Sequence, residues 1–123
     1  MRFDQRRRFL WPVAVLALSL SSMAWPHHSF AMFDRTKLTT IQGTVRKVEW
    51  TNPHVFVFVD VPDKSGKTYA LECGSINMLA RGGWKVNSVK AGDKVTVGLY
   101  PLRNGQPGGL LDTLTLPNGV KLK

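Results

Sequence analysis

Between residues 54 and 61 the apolar side chains recur with period two. Val55, Val57, Val59 and Val61 fall on one face of an extended chain, and Phe56 and Phe58 fall on the other, behind His54. An amphipathic helix repeats its apolar positions every three or four residues, so this run is a strand. Apolar residues on both faces predict a central strand that is covered on both sides.

The rest of the chain after residue 37 has the same period, with one exception. From Leu38 to Trp50, Ile41, Gly43 and Val45 share a face; then the phase slips and Val48 and Trp50 become the apolar pair, which predicts a bulge or strong bend. Asp63-Lys64-Ser65-Gly66 reads as a turn into a third strand over Lys67–Cys73, forming a hairpin. The exception is Ser75-Ile76-Asn77-Met78-Leu79-Ala80-Arg81, a short helix that Ser75 can cap and Gly82-Gly83 can stop. Ala91-Gly92-Asp93 turns into a fourth strand over Lys94–Leu102. Asn104-Gly105 and Pro107-Gly108-Gly109 read as a hairpin loop, and Leu110–Leu116 as a fifth strand. The order strand, strand, strand, helix, strand, strand predicts a mainly β protein, a small OB-like five-stranded barrel over residues 38–123 with one short helix between strands 3 and 4. An incomplete sandwich of the same strands is the alternative. Gly43 and Gly98 suit places where barrel strands coil tightly.

Residues 1–24 read as a cleaved signal peptide and residues 25–37 as an N-terminal arm. Arg2, Arg6, Arg7 and Arg8 precede an apolar stretch from Phe9 to Leu20, and Ser22-Met23-Ala24 offers a small-x-small cleavage pattern ending at Ala24. The stretch is short for a membrane span, which needs about 20 apolar residues, and Pro12 interrupts it. No stable span is expected once the segment is removed. Arg6-Arg7-Arg8-Phe9-Leu10 resembles a twin-arginine signal, with an arginine-rich general-secretion signal as the alternative. Either route places the protein in the periplasm. The chain carries 17 Lys and Arg against eight Asp and Glu, formally +9; removal of residues 1–24 leaves thirteen against seven, +6. Those charges are scattered, as on a solvated surface. A single cysteine, Cys73, excludes an intrachain disulfide, so packing must hold the fold. Alternation with Tyr69 and Leu71 places Cys73 in the core, a soft metal ligand being the other reading.

Two segments carry the chemistry, His27-His28-Ser29-Phe30 and Thr51-Asn52-Pro53-His54. Together with Ala31-Met32-Phe33-Asp34, Gly43-Thr44-Val45, Trp50, Gly83-Trp84 and Pro101-Leu102-Arg103-Asn104-Gly105, they make the chain similar to a family of small exported bacterial proteins of unknown function. Family members more often carry Pro where Ile76 stands and Gly where Cys73 stands. The resemblance implies an exported domain and no particular activity. A ligand surface for a small molecule or an envelope protein is assigned to Trp50, Asn52, Trp84 and Arg103 within these segments.

Three imidazoles invite a metal reading, since His is a common ligand for copper, zinc and nickel and oxidising compartments favour Cu(II) on nitrogen. A histidine brace would need His27 as the first residue, but Pro26 precedes it and signal peptidase cleaves poorly after proline. Cleavage after Ala24 leaves Trp25-Pro26-His27, in which Pro26 lacks the amide N–H that the amino-terminal copper motif deprotonates. What remains is a looser copper site of His27, His28 and His54, with Met32 or Asp34 as further ligands. The plainer readings are a flexible arm for His27 and His28, anchored by Phe30, Met32 and Phe33, and a hydrogen-bonded structural role for His54. Copper, or another transition metal in its place, is the one candidate cofactor. Enzymatic chemistry is not expected: Asp34, Asp60 and Glu72 form no acid/base pair, and Asp60, Asp63 and Glu72 read as turn and surface residues. Export removes nucleic acid as a partner, although Trp50, Phe56, Phe58, Trp84 and Tyr100 on a basic barrel would otherwise raise it.

Overall fold

The computed structural model describes residues 30–63 and 65–123. Ala24, His27, His28 and the whole predicted signal peptide lie outside the described residues. A single 3₁₀ turn, Phe30–Met32, leads into β1 (Thr39–Glu49), β2 (Phe56–Asp60), β3 (Thr68–Glu72), α1 (Ile76–Arg81), β4 (Lys94–Pro101), β5 (Gly108–Thr115) and β6 (Lys121–Leu122). Hydrogen bonding follows the order β3-β2-β1-β4-β5-β6, and β3 also pairs with β5, closing a five-stranded barrel with α1 inserted between β3 and β4. The expected OB-like barrel is therefore formed, and the sandwich is not. Among the described residues no helix is long and apolar enough to cross a membrane.

β1 makes closure possible by serving two neighbours. Thr39–Thr44 pair with β4, and Thr44–Glu49 pair with β2. The predicted phase slip is a bulge at Arg46, where the register jumps between Val45 and Lys47. One extra residue sharpens the local twist and turns the strand from one half of the barrel into the other. It also aims Arg46 at Asp60, whose carboxylate accepts from Arg46 Nε at 2.9 Å and from Thr68 Oγ1 at 2.7 Å. These hydrogen bonds, that from Arg46 foremost, hold the Asp60 carboxyl below its ordinary range. The pair is exposed, so it orients the strands more than it stabilises them.

Val45, Val55, Val57, Val59, Leu71, Val97, Leu99 and Leu114 fill the interior and are fully buried. Each removes enough apolar surface from water to contribute about 1.5–3 kcal/mol. Leu79 of α1 and Trp84 close one end of this cluster. Ser75 caps the helix by accepting from Met78 N at 3.2 Å, and Gly83, at φ +90°, lets the chain leave it.

Several expectations need correction. Phe56 and Phe58 are only half-buried, stacked 6.2 Å apart on the outer face with Lys47 Nζ 4.4 Å above the Phe58 ring. Only one face of β2 is therefore core. Glu72, expected at the surface, is 7 % exposed, because it lies where β3 is flanked by both β2 and β5. Trp84, assigned to a ligand surface, is a core residue whose indole donates to the Lys123 carbonyl at 3.0 Å. Gly108 and Gly109 are not loop but the start of β5, paired in parallel with Ala70 and Leu71. The two-residue β6 was not expected; it carries Leu122 into the core beside β5.

Gly43 lies where β1 passes close to the end of β2. A Cβ there would overlap the Asp60 carbonyl oxygen and come within 2.7 Å of Val59 Cγ1. Gly43→Ala should cost about 2 kcal/mol or more, read as a lowered midpoint in urea unfolding; an unchanged midpoint would contradict the close crossing.

Candidate functional site

At the end of the barrel covered by α1, the last residues of β3, the start of β5 and the helix leave a cavity of about 370 Å³ with a mostly apolar wall. Leu110 and Leu111 contribute from β5, Met78 and Leu79 from α1, Phe30 from the 3₁₀ turn, and Glu72 and Cys73 from the end of β3. Pro53 and His54 close a further side.

Chain geometry explains why these residues meet. Before β2, Val55 exchanges hydrogen bonds with the segment after β3: Cys73 N donates to Val55 O at 2.8 Å, and Val55 N donates to Gly74 O at 3.0 Å. With Phe56 opposite Glu72 in the ladder, His54 and Glu72 emerge close together on one side. His54 Nδ1 stands 3.5 Å from Glu72 Oε1, a contact longer than a good hydrogen bond. The imidazole is about a third exposed, at 34 %, and the carboxylate side chain only 10 %. The cavity thus has an apolar body with one buried acid at its wall, the composition of a small-molecule site.

Cys73 lines the same cavity, but its chemistry is suppressed. Burial pushes the thiol up to about 12, and Sγ donates to the Leu71 carbonyl at 3.6 Å. The core role expected for it is what the packing shows.

The remaining sequence-predicted residues serve the scaffold around this site. Asn52 Oδ1 accepts from Ile76 N at 3.1 Å, tying the corner before β2 to the first turn of α1. Its bond to Pro53 is cis. Trp50 is half-buried against the core. Arg103 holds the N-terminal segment to the β4–β5 connection: Nε donates to Ala31 O at 3.0 Å and its backbone N to Met32 O at 2.9 Å. Phe33 is buried and bridges to Leu102, whereas Phe30 and Met32 stay exposed. Of the three predicted anchors, Phe33 alone is buried. Arg35 lies 5.6 Å from the Phe30 ring centre and 5.7 Å from that of Tyr100, a cation–π bracket at the root of the arm.

Among the described residues no three of His, Cys, Asp and Glu are grouped to hold a metal. His27 and His28 lie outside the described residues, so His54 is the one imidazole whose surroundings are defined. Period-two patterning marks Leu71 and Cys73 as core but gives no reason to single out Glu72, Leu110 or Met78. The available signal was a lone acid at opposite parity, directly between two core residues.

Residues 15–112 match the model of a family described as Family of unknown function (DUF6152). The chain belongs to this family. The DUF6152 match takes in every residue lining the cavity except Lys123. No curated protein and no solved structure matched the chain.

With its thiolate disfavoured and its sulfur packed, Cys73 should resist alkylation by iodoacetamide at pH 8 in the native protein and react once unfolded in guanidinium. Native-state labelling at the rate of a free thiol would contradict that burial.

Proposed function

We propose that this protein is an exported, periplasmic binding module without catalysis of its own, which holds a small ligand in the cavity at the helix end of its barrel. The observation that carries this reading is the cavity: apolar over most of its wall, with the buried Glu72 carboxylate and the His54 ring as its polar groups from the β2–β3 side. Sites of this composition hold small molecules by apolar burial and fix their orientation with a few polar contacts. The predicted signal peptide supports export, and a basic barrel suits anionic envelope surroundings.

NMR titration with hexan-1-ol tests the site without presupposing a charge on the ligand. Shifts confined to the amides of Gly74, Met78, Leu110 and Leu111 are expected. They should vanish in Met78→Trp, which fills the cavity from an exposed helix position. Shifts elsewhere, or none, would remove the cavity from consideration.

Copper handling by His27, His28 and His54 is the second reading, and one observation favours it. Phe30, three residues after His27 in the chain, lines the same cavity as His54. A carboxylate beside an imidazole, as Glu72 is beside His54, is also the usual support of a metal-binding histidine. Native mass spectrometry of periplasmic protein reads both proposals at once. The binding module predicts a metal-free chain beginning at Trp25 that stays empty after copper titration. One bound copper per chain, lost in His54→Ala, would establish the copper site, and a mass retaining residues 1–24 would refute cleavage.

A further inference from the structure

We propose that the ligand of this cavity is a small primary amine on an alkyl or aryl body, with the Glu72 carboxylate recognising the ammonium; the inference rests on the cavity being the binding site. Four apolar side chains, Phe30, Met78, Leu110 and Leu111, give the body an apolar surface. At about 370 Å³ the space lies near the lower end of small-molecule sites, which span about 300–1,000 Å³. It suits one small molecule better than a length of polymer.

The head group follows from the electrostatics. Glu72 is the one acid in the lining, and its side chain is nine-tenths buried. A carboxylate in such surroundings attracts a cation more strongly than it would in water, and a hydrogen bond between ionised groups is among the stronger polar contacts. Its contact with His54 is long, at 3.5 Å. Glu72 lines the cavity, so a cation held there reaches its carboxylate. A carboxylate ligand would meet a like charge there, and a neutral alcohol would forgo the charge. Lys123 also joins the lining, but it is exposed, and its backbone carbonyl is held by the Trp84 indole. Its charge is solvated and screened by salt, while that of Glu72 is largely withdrawn from water. The ammonium keeps its proton throughout; binding makes and breaks no covalent bond.

The test compares n-hexylamine, hexan-1-ol and hexanoate by NMR titration at one pH and ionic strength, following the amides of Gly74, Met78 and Leu111. Hexylamine should bind about tenfold or more tightly than either of the others. In Glu72→Gln, which keeps the side chain's shape, that preference should fall to about twofold or less while hexan-1-ol binding is retained. Retained hexan-1-ol binding also shows that the variant is folded. Met78→Trp should block all three. If hexan-1-ol or hexanoate binds as tightly as hexylamine, or if Glu72→Gln leaves the preference intact, the amine assignment is overturned and the cavity reading stands. If none of the three perturbs the cavity amides, both are overturned.

Discussion

The parallel pairing of β3 with β5 is the contact on which the rest of the molecule depends. It turns a curled sheet into a closed barrel, removing the open edges that β3 and β5 would otherwise expose. The approach is close enough that side chains cannot be accommodated at the crossing. A Cβ on Gly108 would stand 2.7 Å from the Ala70 carbonyl oxygen of β3, and one on Gly109 would overlap the Tyr100 carbonyl oxygen of β4, on the other side of β5. Gly108 therefore lets β5 reach β3, Gly109 lets it lie against β4, and the next residue, Leu110, opens onto the cavity. Closure and cavity have a common origin in that short segment.

Strand β1 supplies the complementary distortion. The eleven residues of β1 pair with β4 over the first half and with β2 over the second, and the bulge at Arg46 bends the strand from one to the other. Gly43, three residues before the bulge, permits a close approach to Asp60 and Val59. The two ends of the barrel then differ in character. One is closed by α1, Trp84 and the apolar cavity. The opposite end carries the Arg46–Asp60–Thr68 hydrogen bonds in an exposed setting. The N-terminal segment is fastened by Phe33, Arg103 and the Arg35 bracket, which brings Phe30 to the cavity rim.

Much of the scaffold was legible in local patterns. The phase slip between Val45 and Val48 marked the bulge, Ser75 and Gly82-Gly83 marked the helix, and the strand order marked the barrel. These features depend on neighbours a few residues apart, which is the range over which periodicity and capping act. Patterning failed where one residue could play two roles. Gly108-Gly109 has the composition of a hairpin loop and acts as a strand because β3 lies beside it. Trp84 has the composition of a stacking platform and acts as core because the helix delivers it to the barrel end. Arg103 has the composition of a ligand contact and acts as a strap because the 3₁₀ turn lies against it.

By itself, the sequence determined a mainly β domain with one helix, and a chain whose single cysteine leaves packing instead of an intrachain disulfide to hold it. Tertiary structure alone decided that Glu72 is buried and that it stands beside His54 at the wall of a cavity lined by residues from five separate stretches of the chain. The physical reason is register. Glu72 and His54 are eighteen residues apart, and their proximity follows from which residue of β3 pairs with Phe56 and from the closing contact with β5. A one-residue slip in either pairing would turn the carboxylate to the opposite face, and no local pattern in the chain records which register is adopted.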